Sequence, residues 1–474
     1  MNILKKYHFT SLLLVVILVV ILVGCATKNT DSTQNRNQPN VVFILVDDLG
    51  WSDLAFMGNP VYETPNLDKF SKEAAVFTNA YAPAANCAPS RACILSGKNT
   101  PRHGIYTVGS SVRGKSKNRK LIPIPNTKVL ADSVETLAEA LRDNGYVSTS
   151  VGKWHVGKDP RSQGFNFNVG GNHAGHPRSY FSPYKNNNLS NGEEGEYLTD
   201  RLTQEAINFI ETNRSKPFFL YLPYFTVHTP LQGKKDVVAK YTKKVNGDKR
   251  FNAKFGAMVE SMDENVGRLL KSLKDLQLDE NTIVIFYSDN GGLAHISSQY
   301  PLRAGKGSYY EGGIRVPFMI KWGNKIKPTK FNNPVTGLDI FPTITDILND
   351  NKDYQLDGTS LLPLLSENKK LEERPLFWHF PIYLQGVNPK KDQARDILFR
   401  TRPGSVISKG KWKLHHYFED NAFELYNLED DISESQNLIE IYPEKVRLLY
   451  KELEKWRKET NAPIPRELNP NYKR

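Results

Sequence analysis

Four runs in this chain, Val41–Val46, Pro217–Leu222, Thr282–Tyr287 and Val316–Ile320, are apolar almost without interruption. A strand with one wet face alternates polar and apolar residues. A run without alternation is buried on both faces, the usual condition of a parallel sheet covered by helices. The intervening segments carry helical periodicity: Val259, Met262, Val266, Leu269 and Leu273 recur at steps of three and four and share one face. Asp132 and Glu135 have capping-box spacing, which predicts a helix opening there and closing at Gly145. Together these features predict an α/β fold whose large, mostly parallel sheet is sandwiched between helices. After about residue 370 the pattern shifts to short strands with turns, such as Lys411–Tyr417 and Phe423–Leu428. A helix follows with Val446, Leu449, Leu453 and Trp456 on one face, predicting a small C-terminal α+β subdomain with an antiparallel sheet over 371–474.

Upstream of the first strand, Lys5 and Lys6 precede an apolar run from Leu12 to Val23 that ends in Leu-Val-Gly-Cys25. Twelve residues are short for a spanning helix and right for the apolar region of an export signal. The ending resembles a bacterial lipoprotein cleavage box, in which Cys25 becomes the lipidated N-terminus. Residues 1–24 are then a signal peptide, 25–38 a polar tether, and 39–370 the main domain of an exported lipoprotein, periplasmic or outer-membrane associated. The formal charge is +12, or +10 once Lys5 and Lys6 are removed (12 − 2). A positive surface favours anionic partners. Export argues against nucleic acid and for an anionic polysaccharide, with the membrane touched only through the lipid anchor.

In open α/β sheets, sites form beyond the carboxyl ends of the strands. Two of the buried runs end alike, in Asp47-Asp48 and in Asp289-Asn290. Four oxygen-bearing side chains from such ends suit a hard cation, calcium or magnesium. Cysteine is scarce, yet two of the three lie in Asn-Cys87-Ala-Pro89-Ser-Arg91-Ala-Cys93. A disulfide between them fails on geometry. With Pro89 in the first turn of a helix, residues six apart stand about 9 Å apart along the axis. Cys93 reads as a core residue. Cys87 reads as a lone thiol just ahead of a helix N-terminus, where free N–H groups favour an anion and Arg91 adds a positive charge.

Cys87-Ala-Pro89-Ser-Arg91-Ala-Cys-Ile-Leu-Ser-Gly97 resembles the signature of the type I sulfatases of the alkaline phosphatase superfamily. The resemblance runs from Pro39 to about Leu438, with further motifs in family order. Asp47, Asp48, Asp289 and Asn290 match the family's calcium ligands, completed by residue 87. Gly152-Lys153-Trp-His155-Val-Gly157, His228-Thr-Pro and Lys306 in Gly305-Lys306-Gly-Ser-Tyr-Tyr match the remaining signatures. Lys153 and His155, two apart in extended chain, are expected to point the same way. No catalytic position departs from the family pattern.

The resemblance implies an alkaline phosphatase-like fold, one Ca2+ ion, and conversion of Cys87 to formylglycine by a maturation enzyme. It implies that the hydrated aldehyde is the nucleophile and that Lys153 and Lys306 hold the sulfate oxygens. His228 protonates the leaving oxygen, His155 takes the proton that lets sulfate go, and Arg91 orients residue 87. The segment Gly170-Gly-Asn-His173-Ala-Gly-His176-Pro-Arg178-Ser-Tyr-Phe-Ser-Pro-Tyr184 resembles an insertion in carbohydrate-active members, so His173, His176 and Arg178, with the segment's tyrosines, are candidates for binding a sulfated oligosaccharide. Galactose or N-acetylgalactosamine sulfates, with O4 favoured, fit the resemblance. His379 and Arg402 are lesser candidates for the pocket rim. Two rival readings are a phosphatase or phosphodiesterase of the same superfamily and a non-catalytic glycan-binding lipoprotein. The first prefers Ser or Thr and two metals; the second requires that Cys87 stay unconverted.

Overall fold

A computed structural model describes residues 38–367 and 369–473. The export signal, Cys25 and the tether lie outside the described residues. Among those described, no helix is long and apolar enough to cross a membrane.

The main sheet has eight strands: β1 (Asn40–Val46), β2 (Ala75–Phe77), β3 (Val147–Val151), β4 (Phe167–Val169), β5 (Phe218–Pro223), β6 (Thr282–Ser288), β7 (Phe318–Trp322) and β8 (Thr329–Phe331). Their spatial order is β4-β3-β5-β1-β6-β7-β2-β8. All run one way except β7, which pairs antiparallel with both β6 and β2. The uninterrupted apolar runs are explained by two separate cores. Val41, Phe43 and Leu45 face α2 (Cys87–Ser96), α3 (Leu137–Asp143) and α6 (Ile340–Ile347). Val42, Ile44 and Val46 face α1 (Pro65–Ser71), α4 (Leu198–Asn213) and α5 (Ala253–Asp275). The Val259-to-Leu273 stripe of α5 lies wholly in this second core.

One helix start differs from the sequence expectation. The capping box is Thr136 with Glu139, and α3 begins at Leu137. Asp132 instead accepts from the Gln163 side chain, and Glu135 pairs with Lys352. Spacing alone does not choose between two overlapping boxes; packing of Leu137, Ala138 and Leu141 into the core does.

The C-terminal strands β9 (Leu376–Phe380), β10 (Gly404–Lys409), β11 (Trp412–Tyr417) and β12 (Phe423–Asn427) form an antiparallel sheet in that order. Helix α7 (Pro443–Glu459) covers it through Leu449, Leu453 and Trp456. Leu376, Trp378, Phe380 and Val406 pack against Tyr81, Ala85, Tyr309 and Ile314, which joins the C-terminal sheet to segments that follow β2 and precede β7. From Pro39 onward the chain is one compact unit.

Candidate active site

Four neighbouring parallel strands end at one place. The pairing of β1 with β5 and β6 continues past the strands: Asp47 N–H donates to the Thr226 carbonyl at 2.9 Å and Asp289 N–H to that of Val46 at 3.0 Å. Lys153 N–H donates to the Pro223 carbonyl at 2.7 Å, carrying the β3 end to the same edge. Gly152 makes this approach possible, since its φ is +125° and a Cβ there would lie 2.1 Å from the Pro223 oxygen. Helix α2 points its N-terminus at the same place. It begins at Cys87 itself, with Asn86 at the N-cap position making no side-chain capping bond and Pro89 third in the first turn. Both Cys87 and Cys93 are free thiols.

The charged side chains interlock. Arg91 Nε donates to Asp289 at 2.8 Å and its Nη1 to the Lys153 carbonyl at 2.7 Å. Lys153 Nζ meets Asp47 at 2.5 Å, and Lys306 Nζ lies 2.7 Å from Asp48 and 3.0 Å from the Cys87 sulfur. Asn290 Nδ2 donates to Asp48 at 2.8 Å, and the Asp48 N–H reaches Asp289 at 3.2 Å. His228 Nε2 stands 3.6 Å from Asp48, while its Nδ1 lies 2.7 Å from the Thr229 carbonyl. The side chains of Lys306 and His228 are 10% and 15% exposed, against 0% for Lys153 and Asp47. The entrance therefore lies on the Lys306–His228 side.

Burial and neighbouring charge set the protonation states. Burial would raise the Asp48 carboxyl, but Lys306 and His228 outweigh it and hold it well below the usual range. Asp47 goes the other way, pushed up by burial against the pull of Lys153. Burial, reinforced by Lys153 and Arg91, keeps His155 neutral; His228 is lowered by burial and then Lys306. Asp47, Asp48, Cys87 and His228 each offer a ligand atom within 4.8 Å of the others. Asp47 Oδ1 and Asn290 Oδ1 are buried with no hydrogen-bond partner. An orphaned carboxylate oxygen that burial drives toward protonation fits a divalent cation, which supplies the missing charge.

Residues 39–350 match the Sulfatase family, and residues 305–459 match the family described as N-sulphoglucosamine sulphohydrolase, C-terminal. The chain belongs to the sulfatases. Its sheet and strand-end site are those of the alkaline phosphatase superfamily, and as a sulfatase it is a sulfuric ester hydrolase. A protein named sulfatase from Formosa agariphila is 32% identical, with 94% of each chain covered. Human N-acetylgalactosamine-6-sulfatase is 32% identical over 72% of this chain and 68% of its own. The crystal structure of Ps i-CgsB in complex with k-i-k-neocarrahexaose is 29% identical, with a TM-score of 0.71, covering 88% of this sulfatase and 92% of that chain.

The sulfatase brings Asp47, Asp48, Cys87, Arg91, Lys153, His155, His228, Asp289, Asn290 and Lys306 to one locus. His155 gets there without extended backbone: its φ is +70°, and its N–H is held by the Asn172 carbonyl at 3.0 Å. The loop of Asn172 covers both histidines. His176 stacks on His228 with ring centroids 6.2 Å apart, His173 meets His155 at 6.3 Å, and Gly175 lies so close that a Cβ would be 2.6 Å from the His155 ring. Arg178 lines a 460 Å3 hollow beside His176.

Two rim candidates sit elsewhere. His379 is buried in β9, its ring nitrogens 2.8 Å from the Ser405 hydroxyl and 2.9 Å from the Pro463 carbonyl, and burial lowers it to about 3. Arg402 is taken up by Asp396 and Glu419. Each has its hydrogen-bonding capacity used inside the C-terminal part. Tyr180, one of the tyrosines expected to meet sugar, is buried instead; its hydroxyl lies 2.6 Å from the Phe225 carbonyl and 2.8 Å from that of His228, fixing the backbone that presents His228. A tyrosine within a Gly/Pro-rich loop carries no signal for such a role.

Proposed function

We propose that this sulfatase removes sulfate from galactose or N-acetylgalactosamine units of a sulfated polysaccharide, using formylglycine at position 87 and a bound calcium ion. The observation that carries the reading is the Cys87 thiol in the first turn of α2, 3.0 Å from the Lys306 ammonium and beside Asp48. No fold requirement puts a buried thiol among three carboxylates and three cations.

Converted to the aldehyde hydrate, residue 87 supplies the attacking hydroxyl and a second hydroxyl through which sulfate is expelled. A cation held by Asp47, Asp48, Asp289 and Asn290 supplies neutralisation of the sulfate oxygens. Lys306 and Lys153 add fixed positive charge around the anion in a site largely closed to water. With Nδ1 turned to the Thr229 carbonyl, His228 keeps Nε2 for the leaving sugar oxygen, and a bound anion favours its protonated form. His155, neutral and with Nδ1 unpartnered, is suited to accept a proton. Arg91 fixes Asp289 and the Lys153 backbone, and so the geometry of the whole cluster.

Human N-acetylgalactosamine-6-sulfatase and the neocarrahexaose-bound Ps i-CgsB support a galacto-configured sugar, and the former favours O6 over the O4 ester read from the sequence. His173, His176 and Arg178, at the mouth, would contact that sugar. Cys25 and the signal segment support export as a lipid-anchored protein. Mass spectrometry of the peptide spanning residue 87 tests the modification: a loss of about 18 Da relative to cysteine is expected, whereas an unmodified thiol in fully active protein would exclude the mechanism. Sulfate release from a panel of monosulfated sugars tests the ester, and activity on O4-sulfates alone would overturn the O6 assignment.

A further inference from the structure

On the C-terminal wall of the site two arginines converge. Arg400, in the short strand Phe399–Thr401, donates from Nη1 to the Lys306 carbonyl at 2.9 Å and from Nε to that of Gln385 at 3.3 Å. Gly307, with φ +85°, leaves space for the guanidinium: a Cβ there would lie 3.3 Å from Arg400 Cζ. Arg113 reaches the same hairpin from another part of the chain. Its neighbour Val112 bridges Tyr383, and Gly114 packs so tightly that a Cβ would lie 2.8 Å from the Phe399 ring.

Burial acts most strongly against the Arg400 cation; the charge of Asp392 favours it, that of Arg113 acts against it, and Asp48 and Cys87 favour it less. Asp392 spends its Oδ2 on the backbone N–H groups of Val387 and Asn388. Among the described residues, no carboxylate forms an ion pair with Arg113 or Arg400. Two half-buried guanidinium groups that repel each other are relieved by an anion between them, and guanidinium forks suit sulfate and carboxylate oxygens. The contact to Lys306 sets their place in the substrate, because Lys306 also touches the Cys87 sulfur.

We propose that Arg113 and Arg400 form a second anion subsite, which takes a sulfate or carboxylate on the sugar adjoining the one that is desulfated. This subsite presupposes the carbohydrate substrate proposed above, and it deepens that reading by making the preferred substrate a multiply charged chain.

The test is calorimetry on the full chain carrying Cys87→Ala, which binds without turnover. The probes are a disaccharide with one 6-O-sulfated N-acetylgalactosamine, the same disaccharide with a second sulfate on the neighbouring sugar, and a third version with a carboxylate there. The doubly charged probes should bind about 10-fold tighter than the monosulfated one, and the tighter of the two names the natural anion. Arg113→Ala, whose side chain makes no hydrogen bond or ion pair among the described residues, and Arg400→Lys should each shrink that ratio to about 2-fold. Equal binding of all three probes, or a ratio that survives both substitutions, would overturn the subsite. A binding preference in a protein that releases no sulfate when Cys87 is intact would sink the catalytic reading while supporting the subsite. Sulfate release from the monosulfated probe together with equal binding would sink the subsite alone.

Discussion

Two clusters of buried charge stand on either side of the junction between the sheets, and they end in different ways. At the strand ends, Asp47, Asp48 and Asp289 are matched by Lys153, Lys306 and Arg91, yet Asp47 Oδ1 and Asn290 Oδ1 are left without partners. Behind the Lys306 loop, Lys413 lies 2.9 Å from Glu311 and 3.0 Å from Glu434. Glu311 Oε2 accepts from the Tyr81 hydroxyl at 3.0 Å, and Glu434 Oε2 takes the Glu311 N–H at 2.5 Å. Arg315 Nη1 lies 3.3 Å from Glu311, so each cluster balances its charges. The first sets unpaired acceptor oxygens and a thiol beside the partly exposed Lys306 and His228, whereas the second, where Glu434 Oε1 is also without a hydrogen-bond partner, has no exposed member and ties the C-terminal sheet to the segment after Lys306. Unpaired oxygens at an entrance mark a place for a ligand; enclosed pairs mark a joint.

That contrast can be broken by experiment. Cys87→Ala should lower sulfate release by on the order of 10^4-fold or more with the melting temperature unchanged, since the site loses its nucleophile but no packing. Undiminished turnover would remove the first cluster from the chemistry. Chelation of divalent ions should abolish sulfate release and added calcium should restore it; full activity in excess chelator would mean that the orphaned oxygens serve no metal. Lys306→Ala should reduce kcat by about 10^2- to 10^3-fold, the usual effect of losing one group that stabilises developing charge.

In the enclosed cluster, Lys413→Met should destabilise the fold by about 3–5 kcal/mol by leaving Glu434 uncompensated, Glu311 keeping its pair with Arg315. The surviving folded fraction should keep near-normal activity. A stable but inactive Lys413→Met protein would show that the joint takes part in catalysis. The smallest effect expected is for Thr136→Ala, about 1 kcal/mol in denaturant unfolding, through loss of the α3 cap. A similar loss from Asp132→Ala with none from Thr136→Ala would restore the helix start that spacing suggested.

The sequence carried four of the eight strands of the main sheet, β1, β5, β6 and β7, because both of their faces are apolar; the shorter or more polar β2, β3, β4 and β8 gave no such run. The reversed direction of β7 was not legible, since an apolar run reads the same in either direction. The stripe on α5 was clear for the same reason as the strands: periodicity is local. The α3 cap was misplaced by four residues because two pairs, Asp132 with Glu135 and Thr136 with Glu139, fit one local rule and only distant packing discriminates. Asp47, Asp48, Asp289 and Asn290 were legible because each follows directly on a buried strand. Tyr180, Arg113 and Arg400 were not, since their roles depend on contacts with residues far along the chain.

By itself the sequence determined which residue types are available at the strand ends and that a lone thiol begins a helix, because these are properties of neighbours in the chain. Only the tertiary structure decided that Asp48, Cys87, His228 and Lys306 meet across gaps of tens to hundreds of residues. It also decided that His379 and Arg402 are spent internally while Arg400 lies against the Lys306 carbonyl. The physical reason is range. Hydrophobic patterning is written residue by residue, but whether a polar group is satisfied or left free is fixed by whatever the fold places within about 3 Å of it.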